Sequence, residues 1–318
     1  MLKAVKVWRR RSGCNASQLK AACLSQFFDF DCGNRQRLIE ARTTGAKRLC
    51  ARLLPSCFIL TVPLLEFQSV FVQRGTRLAL NGLSLRVQAG EHVAILGPNG
   101  SGKSTLIKTI TRECYPLLRP ETQLRILGQQ NWNIFDLRSH LGVVSNDLMA
   151  QCTRDITGRE LVLSGFFGSV GIWPNHHVTP EMEAAAMEAM VRLEVSHLAG
   201  RWLDELSSGE ARRLLIARSL IHNPATLLLD EPTTSLDLVA LHEVRTQLRM
   251  LAQSGVGLLL VTHHLDDIIP EIDRVVVLQT GQVSVDGPKA EVLTSGRLSA
   301  TFGVPVEVLQ RDGFYHAW

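Results

Sequence analysis

The sequence predicts an α/β fold in which a mainly parallel β-sheet is flanked by helices. Three short apolar runs, at residues 93–96, 225–232 and 256–264, have the length and composition of strands that are buried on both faces. The first run leads through a glycine-rich loop into a helix, and the second is followed by an amphipathic helical pattern at 238–253. This alternation is the βα unit of an α/β domain, and a hairpin-like pair of strands is predicted at 274–287.

Two regions depart from that alternation. Residues 64–72 and 79–87 alternate apolar and polar side chains, which predicts half-exposed antiparallel strands in an N-terminal β subdomain. Between about 113 and 205 the strand–helix pattern stops. There Thr179 and Pro180 supply an N-cap and a proline in the first helical position of a stretch rich in strong helix formers. We therefore expect a mostly helical lobe in this range.

Charge divides the chain into a basic leader, residues 1–63, and a domain, residues 64–318. The leader has 12 Lys and Arg against 3 Asp and Glu, whereas the rest has 22 against 27. Because the basic charge belongs to the leader, a nucleic-acid-binding body is not expected. The leader is a disordered tail, an organellar transit peptide or upstream sequence from a misassigned start. Its Arg and Ser residues suit a transit peptide, and its acidic residues do not.

Cysteine usage and hydropathy bear on the compartment. Five of the seven cysteines lie in the leader, and only Cys114 and Cys152 lie in the domain, which fits a reducing compartment. The longest apolar stretch of the leader, 53–65, contains two prolines and is shorter than the roughly 20 residues of a spanning helix. No segment is expected to cross a membrane, so a membrane function would need separate membrane chains.

A glycine-rich motif of the form G-x-x-x-x-G-K-S follows the first buried strand and is the strongest chemical signal in the sequence. Its glycines let the backbone wrap closely, so that N–H groups and the positive end of the next helix face an anion. In such a P-loop the lysine, Lys103, reaches the β- and γ-phosphates of a nucleotide, and the serine, Ser104, ligates Mg²⁺. The motif predicts a P-loop NTPase fold with these binding residues: Gly97, Pro98, Asn99, Gly100, Ser101, Gly102, Lys103, Ser104 and Thr105.

The ends of two later strands supply the other candidate catalytic groups. Asp230 ends the second apolar run, where ligands bind in open α/β sheets, and it is placed to hold the Mg²⁺ shell. Glu231 follows directly and is placed to orient or deprotonate an attacking water. His263, at the end of the third run, is placed to hydrogen-bond the γ-phosphate. Each of these groups alone is typical of an ordinary strand end, and only the preceding P-loop gives them a catalytic meaning.

Five motifs occur in the order GPNGSGKST, LSSGE, LLLDEP, SLD and VTHH. This order resembles the nucleotide-binding domain of the ATP-binding cassette family, over residues 64 to about 311. The resemblance implies ATP as the nucleotide, Glu231 as the catalytic base, His263 as the switch histidine and Lys103 as a phosphate residue. It also implies that Asp237 lies in a loop that crosses between two subunits. Residues 161–173 and the C-terminal tail look similar to cassettes of molybdate or iron-chelate uptake.

The signature segment, residues 206–210 (LSSGE), starts a predicted helix at 209–222. Serine and glycine before a helix are typical of a simple cap. The family's usual LSGGQ, however, binds the γ-phosphate of ATP held by the other subunit. The resemblance therefore implies that Ser207 and Gly209 form half of a second ATP site and that the cassette works as a homodimer or heterodimer.

The sequence departs from the family pattern in four places. Ser208 replaces a glycine and Glu210 replaces a glutamine of the signature. Asn146 stands where a glutamine usually links the two lobes, and we take it as a third metal residue with a side chain one methylene shorter. The usual adenine-stacking aromatic is absent, which leaves Arg74 or Phe71 to stack on the base.

The expected function is that of an ATP-hydrolysing subunit that dimerises on ATP and drives a separate membrane permease. Its expected location is the cytoplasmic face of the cell membrane, or an organelle if the leader is a transit peptide. Two alternatives stay open. One is a soluble, non-transport cassette ATPase with a regulatory or assembly role. The other is an ATP-gated binding module that binds ATP without turnover.

Overall fold

A six-stranded sheet forms the centre of the computed structural model, which describes residues 62–152 and 155–318. The strands are β1 Pro63–Arg74, β2 Arg77–Gln88, β3 His92–Leu96, β4 Gln123–Ile126, β5 Leu141–Val144, β6 Thr226–Asp230, β7 Gly257–Thr262, β8 Arg274–Gln279, β9 Gln282–Pro288, β10 Val308–Arg311 and β11 Phe314–Ala317. The α-helices are α1 Lys103–Ile110, α2 Ile134–His140, α3 Asn146–Gln151, α4 Gly158–Leu163, α5 Pro180–Arg192, α6 Ser208–Leu220, α7 Leu238–Gln253, α8 Lys289–Val292 and α9 Ser295–Phe302.

The central sheet confirms the predicted α/β class. Its strand order is β5-β6-β7-β3-β8-β9, with parallel pairing from β5 to β8 and an antiparallel β8–β9 pair at one edge. In this arrangement β3, β6 and β7 are neighbours although they are far apart in sequence. The carboxyl ends of these three strands therefore meet at one edge of the sheet.

A smaller antiparallel sheet accounts for the predicted N-terminal β subdomain. β1 pairs with β2 along most of its length, and the other edge of β1 pairs with β4. β1 begins at Pro63, one residue before the predicted start of the domain. The basic leader lies outside the described residues apart from its last two, so its three interpretations stay predictions.

The range predicted as a mostly helical lobe also contains two strands. β4 joins the antiparallel sheet and β5 joins the central sheet, while α3, α4 and α5 lie between β5 and the signature segment. Each strand has only four residues, too few to show a period in the sequence. The predicted start of α5 is correct, because the Thr179 hydroxyl accepts a hydrogen bond from the Met182 N–H and Pro180 is the first helical residue.

The central sheet separates two apolar cores. Along β6, Leu227 and Leu229 pack into a cluster with α4, α6 and α7, whereas Leu228 packs into a cluster with α1 and the antiparallel sheet. All three leucines are fully buried. Because successive side chains of a strand point to opposite faces, a continuous apolar run is what a doubly covered strand requires. Among the described helices, none is long and apolar enough to cross a membrane.

Truncation of a central leucine tests this double-sided core. Leu259 lies in the middle of β7 and is fully buried, so Leu259→Ala is expected to lower the free energy of unfolding by about 2–5 kcal/mol. Urea denaturation followed by circular dichroism measures the change. The matched control Leu118→Ala removes the same atoms from a fully exposed side chain and is expected to cost less than about 0.5 kcal/mol. Equal losses for the two variants would contradict the described core.

Candidate active site

The carboxyl ends of β3, β6 and β7 bring the sequence-predicted catalytic groups to one edge of the central sheet. Leu96, the last residue of β3, pairs with Thr262 of β7, and Asp230 of β6 pairs with Val261. The phosphate loop, residues 97–105, therefore starts beside the strand ends that carry Asp230 and His263. Strand register alone places these groups together.

The phosphate loop requires glycine at two positions for reasons of space. A Cβ on Gly97 would lie 2.4 Å from the Leu278 carbonyl oxygen. A Cβ on Gly102 would lie 2.7 Å from the Ala79 carbonyl oxygen, and Gly102 also has a φ of 107°. Gly102 is the N-cap of α1 and supplies no side-chain cap, so the first N–H groups of this eight-residue helix remain available to an anion.

Lys103 is buried inside the phosphate loop. Its Nζ donates hydrogen bonds to the carbonyl oxygens of Gly97 at 2.6 Å and Pro98 at 3.1 Å. Desolvation lowers the pKa of Lys103, while the charges of Glu231 and Asp230 raise it. The hydroxyl of Ser101 is buried and has no hydrogen-bond partner among the described residues. A buried ammonium group beside an unsatisfied hydroxyl and free helical N–H groups is a donor set that fits phosphate.

Asp230 ends β6 in a half-buried position. Burial, followed by the charges of Glu231 and Asp147, raises the pKa of Asp230 to about 6, against the opposing effect of Lys103 and Arg212. A carboxylate whose ionised form is disfavoured in this way fits a position where a divalent cation binds, since the cation would supply the missing charge. The Ser104 side chain, on the first turn of α1, is exposed.

Glu231 and His263 form a hydrogen-bonded pair. His263 Nδ1 donates to Glu231 Oε1 at 2.7 Å, and the Glu231 N–H donates to the Val261 carbonyl oxygen at 2.8 Å. Glu231 has a left-handed φ of 46°, which is uncommon for a non-glycine residue and is typical of functional turns. The sequence predicted both residues but not their direct contact.

Asp267 is a buried carboxylate that the sequence analysis missed. Its Oδ2 accepts a hydrogen bond from Thr262 Oγ1 at 2.5 Å, and its Oδ1 accepts one from Thr233 Oγ1. Thr262 precedes His263, and Thr233 follows Glu231 and Pro232, so Asp267 ties together the two loops that present the Glu231–His263 pair. A short helical turn, Leu265–Asp267, brings the carboxylate back to the strand end, and no local sequence pattern marks this return.

The signature segment forms the N-terminus of α6. Ser207 is the N-cap, and its hydroxyl accepts a hydrogen bond from the Glu210 N–H at 3.2 Å, while the Glu210 carboxylate accepts one from the Ser207 N–H at 2.8 Å. This capping box explains the acid at position 210, because the Glu210 carboxylate accepts hydrogen bonds from both the N–H and the hydroxyl of Ser207. A Cβ on Gly209 would lie 2.4 Å from the Cβ of Ala240 in α7. None of the described hydrogen bonds joins Ser207 or Gly209 to the phosphate loop. Within one chain, Ser207 therefore caps the helix and Gly209 packs against α7.

Asn146 is the first residue of α3, separated from β5 by the N-cap Ser145, and its side chain already accepts a hydrogen bond. Its Oδ1 accepts a hydrogen bond from Arg212 Nη2 at 2.7 Å. Arg212 projects from α6 and is buried, and the sequence analysis gave it no role. The proposed metal role of Asn146 would require this oxygen, so it stays a prediction that the geometry does not support.

The aromatic alternative for adenine stacking is also engaged. The Arg119 guanidinium lies 3.9 Å from the Phe71 ring centroid, and a Cβ on Gly82 would lie 3.2 Å from the tip of that ring. Arg74, at the end of β1, is exposed. Of the two candidates, Arg74 has the freer side chain.

Comparisons with known proteins agree with this geometry. A family described as ABC transporter matches residues 80–234. A putative ABC transporter ATP-binding protein of Streptococcus mutans serotype c is 31% identical over 253 residues, covering 78% of this chain and 95% of that protein. The hemin import ATP-binding protein HmuV of Streptomyces coelicolor is 35% identical over 239 residues, covering 74% and 82%. The dimeric structure of MJ0796, a bacterial ABC transporter cassette, superposes with a TM-score of 0.58 at 25% identity, covering 70% of this chain and 98% of that chain.

Neutralisation of Asp230 tests the electrostatics of the strand end. A carboxyl with a raised pKa destabilises the folded protein fully above pH 6, and the penalty fades as the pH falls toward its ordinary value of 3.8. In a metal-free buffer, Asp230→Asn is therefore expected to raise Tm at pH 8 and to raise it less at pH 5. The exposed Asp204→Asn serves as control and is expected to change Tm little at either pH. A gain for Asp230→Asn that is the same at both pH values, or a loss at pH 8, would contradict the described environment.

Proposed function

Because the chain belongs to the ATP-binding cassette family of ATPases, we propose that it hydrolyses ATP to drive a separate membrane permease. The observation that supports this proposal best is the Glu231–His263 hydrogen bond at the end of the sheet that also bears the phosphate loop. A base fixed beside a phosphate site is the arrangement that hydrolysis of a terminal phosphate requires.

In the proposed binding step, the phosphates of ATP lie in the phosphate loop. Backbone N–H groups at the start of α1 and the Lys103 ammonium group donate to the phosphate oxygens. Ser104 and Asp230 are the residues that would hold Mg²⁺, which neutralises negative charge on the phosphates when bound. Lys103 exchanges its two loop carbonyls for phosphate oxygens, so the binding energy includes the loss of those hydrogen bonds.

In the proposed chemical step, Glu231 accepts a proton from a water molecule as the water oxygen attacks the γ-phosphorus. The bond between the γ-phosphorus and its bridging oxygen breaks, and ADP leaves with the electron pair. His263 donates to Glu231 Oε1 at 2.7 Å, and the Thr234 hydroxyl donates to Oε2 at the longer distance of 3.4 Å, so Oε2 is the oxygen that would receive the proton. Asp267 positions both loops through Thr233 and Thr262, and therefore acts on the rate through geometry and not through contact with the substrate.

A dimer is the proposed working state. Ser207 and Gly209 lie at the N-terminus of α6, whose dipole favours an anion, yet no described contact brings them to the phosphate loop of their own chain. Beside them, Leu238 and Val239 are 83% and 69% exposed directly after Asp237. Two adjacent exposed apolar residues next to the predicted crossing loop support an interface there. Each ATP would then lie between the phosphate loop of one cassette and the signature segment of another.

A groove in the lobe is the proposed contact with the permease. It has a volume of about 260 Å³ and lies between β5, α3 and the segment that follows α4. Its lining includes the cationic Arg138 and Arg218, the acidic Glu113 and Asp147, and small and apolar residues. Phe135, which is 66% exposed, lies close to Gly168 of this lining, since a Cβ on Gly168 would lie 3.6 Å from the Phe135 ring. Since the family meets its membrane partners in this lobe, we assign the groove to a cytoplasmic segment of the permease.

The proposed cargo is an iron chelate, and the relative named for hemin import supports this choice over molybdate. The proposed location is the cytoplasmic face of the membrane. The competing proposal is a soluble ATPase with a regulatory or assembly role, and the Arg212-bound Asn146 favours it mildly because the loop linking the lobes is altered.

Phosphate release tests the hydrolase proposal. Glu231→Gln removes the proposed base and is expected to lower kcat by at least about 100-fold. The variant is also expected to accumulate an ATP-bound dimer, measured by size-exclusion chromatography. Glu291→Gln makes the same change in an exposed side chain of α8. It serves as the control and is expected to keep wild-type turnover. If the wild-type protein binds ATP but releases no more phosphate than Glu231→Gln, the chain is an ATP-gated binding module.

Membrane association tests the transport proposal. A tagged chain expressed in its own cells is expected to sediment with membranes, and Phe135→Asp, close to Gly168 of the groove, is expected to shift it to the soluble fraction. Leu118→Asp places the same charge on another exposed apolar residue and is expected to leave sedimentation unchanged. A wild-type protein that stays in the soluble fraction would favour the regulatory or assembly ATPase.

A further inference from the structure

We infer that Arg212 is a positioning residue that fixes the Asn146 amide, so that Asn146 offers its NH₂ group, and not its oxygen, to the terminal phosphate of the nucleotide. This inference rests on the proposed ATP site and gives Asn146 a role other than metal binding. It also gives a function to an arginine that the mechanism above does not use.

The orientation of the amide follows from hydrogen-bond chemistry. A guanidinium group carries only donors, so the amide atom 2.7 Å from Arg212 Nη2 must be the oxygen. The second amide atom, Nδ2, makes no hydrogen bond within the described part of the chain and is not among the buried unpaired atoms. Asn146 therefore has an accessible donor while its oxygen is occupied.

The burial of the Arg212 side chain restricts its movement, so it can fix the orientation of the amide. Its side chain is 4% exposed, and its Nε and Nη1 are buried without a partner among the described residues. A buried guanidinium that already has two unsatisfied donors would be destabilised further if its one acceptor moved away. The Lys108–Asp147 ion pair, at 2.8 Å, holds the residue after Asn146 against α1. The amide itself is held by Arg212 of α6, and the ion pair connects the adjacent residue with α1.

The amide also lies on the catalytic side of the sheet. Val144, two residues before Asn146, pairs with Leu229, so α3 begins beside the end of β6 that carries Asp230. Arg212 reaches the start of α3 at this edge, because its guanidinium donates to the Asn146 side chain. Of the two amide atoms, only the donor is free to contact a ligand at this edge, and the chemical partner of a donor is a phosphate oxygen and not a metal ion.

Equilibrium binding of fluorescent ATP and ADP to the full-length protein separates the two roles. Asn146→Asp keeps the shape and the oxygens but removes the NH₂ group. We expect it to weaken ATP binding by about 10-fold or more, the effect of one hydrogen bond to a charged group, with a much smaller effect on ADP. If Asn146 were a metal ligand, the same variant would lower the Mg²⁺ concentration for half-maximal binding and leave the ATP-to-ADP preference intact, which would overturn the inference.

Variants of Arg212 test the positioning role. Arg212→Met is expected to reduce the ATP-to-ADP preference, because the amide loses its fixed orientation, and Arg212→Lys is expected to restore much of it because an ammonium group also donates. A wild-type preference in Arg212→Met would show a merely structural arginine and contradict the inference.

Asn133→Asp is the matched control for Asn146→Asp. Asn133→Asp makes the same chemical change at an exposed helix cap, where Asp also accepts from the Phe135 N–H, and is expected to leave the preference unchanged. A wild-type protein that binds no ATP would refute the proposed function together with this inference. A wild-type protein that binds ATP, with an unchanged preference in Asn146→Asp, would refute this inference alone.

Discussion

The parallel pairing of β6, β7 and β3 is the constraint on which the rest of the molecule depends. It brings residues from three distant parts of the sequence to one edge of one sheet. The pairing cannot shift by one residue, because the leucines of β6 alternate between two cores and a shift would move each of them to the wrong face. The position of the candidate catalytic groups is therefore set by the packing of the core.

The phosphate loop lies where the two sheets meet. Gly97 lies against β8 of the central sheet, and Gly102 lies against Ala79 of the antiparallel sheet. The turn between β8 and β9 joins both sides, because the Gly281 N–H donates to the Ser101 carbonyl oxygen and the Gly281 carbonyl accepts from the Asn81 N–H. The antiparallel subdomain thus supports the loop directly, and the two sheets together hold its glycines in the shape that faces an anion.

Sequence patterns predicted the parts of the molecule whose signal is local. The long apolar strands, the helix that Thr179 caps and the phosphate loop each show their structure within a few residues, and the structure has them where they were expected. The strands β4 and β5 were missed because four residues cannot display a period, and tertiary pairing decides their conformation. Contacts between residues far apart in the sequence could not be predicted from local patterns either. Arg212 and Asn146 are 66 positions apart, and Thr233 and Asp267 are 34 positions apart.

These missed contacts share a physical feature, since in each of them a buried polar side chain connects two segments that are distant in sequence. Asp267 joins the loops of Glu231 and His263, and Arg212 joins the signature helix to the residue between the lobes. Buried polar networks fix geometry strongly because every unsatisfied group is costly. In this chain the Arg212–Asn146 hydrogen bond connects the signature helix with the start of α3, beside the end of β5.

The central claim is that one ATP site is shared between two cassettes, and hydrogen exchange of the backbone amides tests it most directly. With Mg²⁺, saturating ATP and a high protein concentration, we predict slower exchange both at the phosphate loop and at residues 207–210 of the signature segment, whereas ADP slows exchange at the phosphate loop alone. If ATP protects the phosphate loop fully and leaves residues 207–210 unchanged at every protein concentration, the signature segment is only a helix cap and the shared site does not exist.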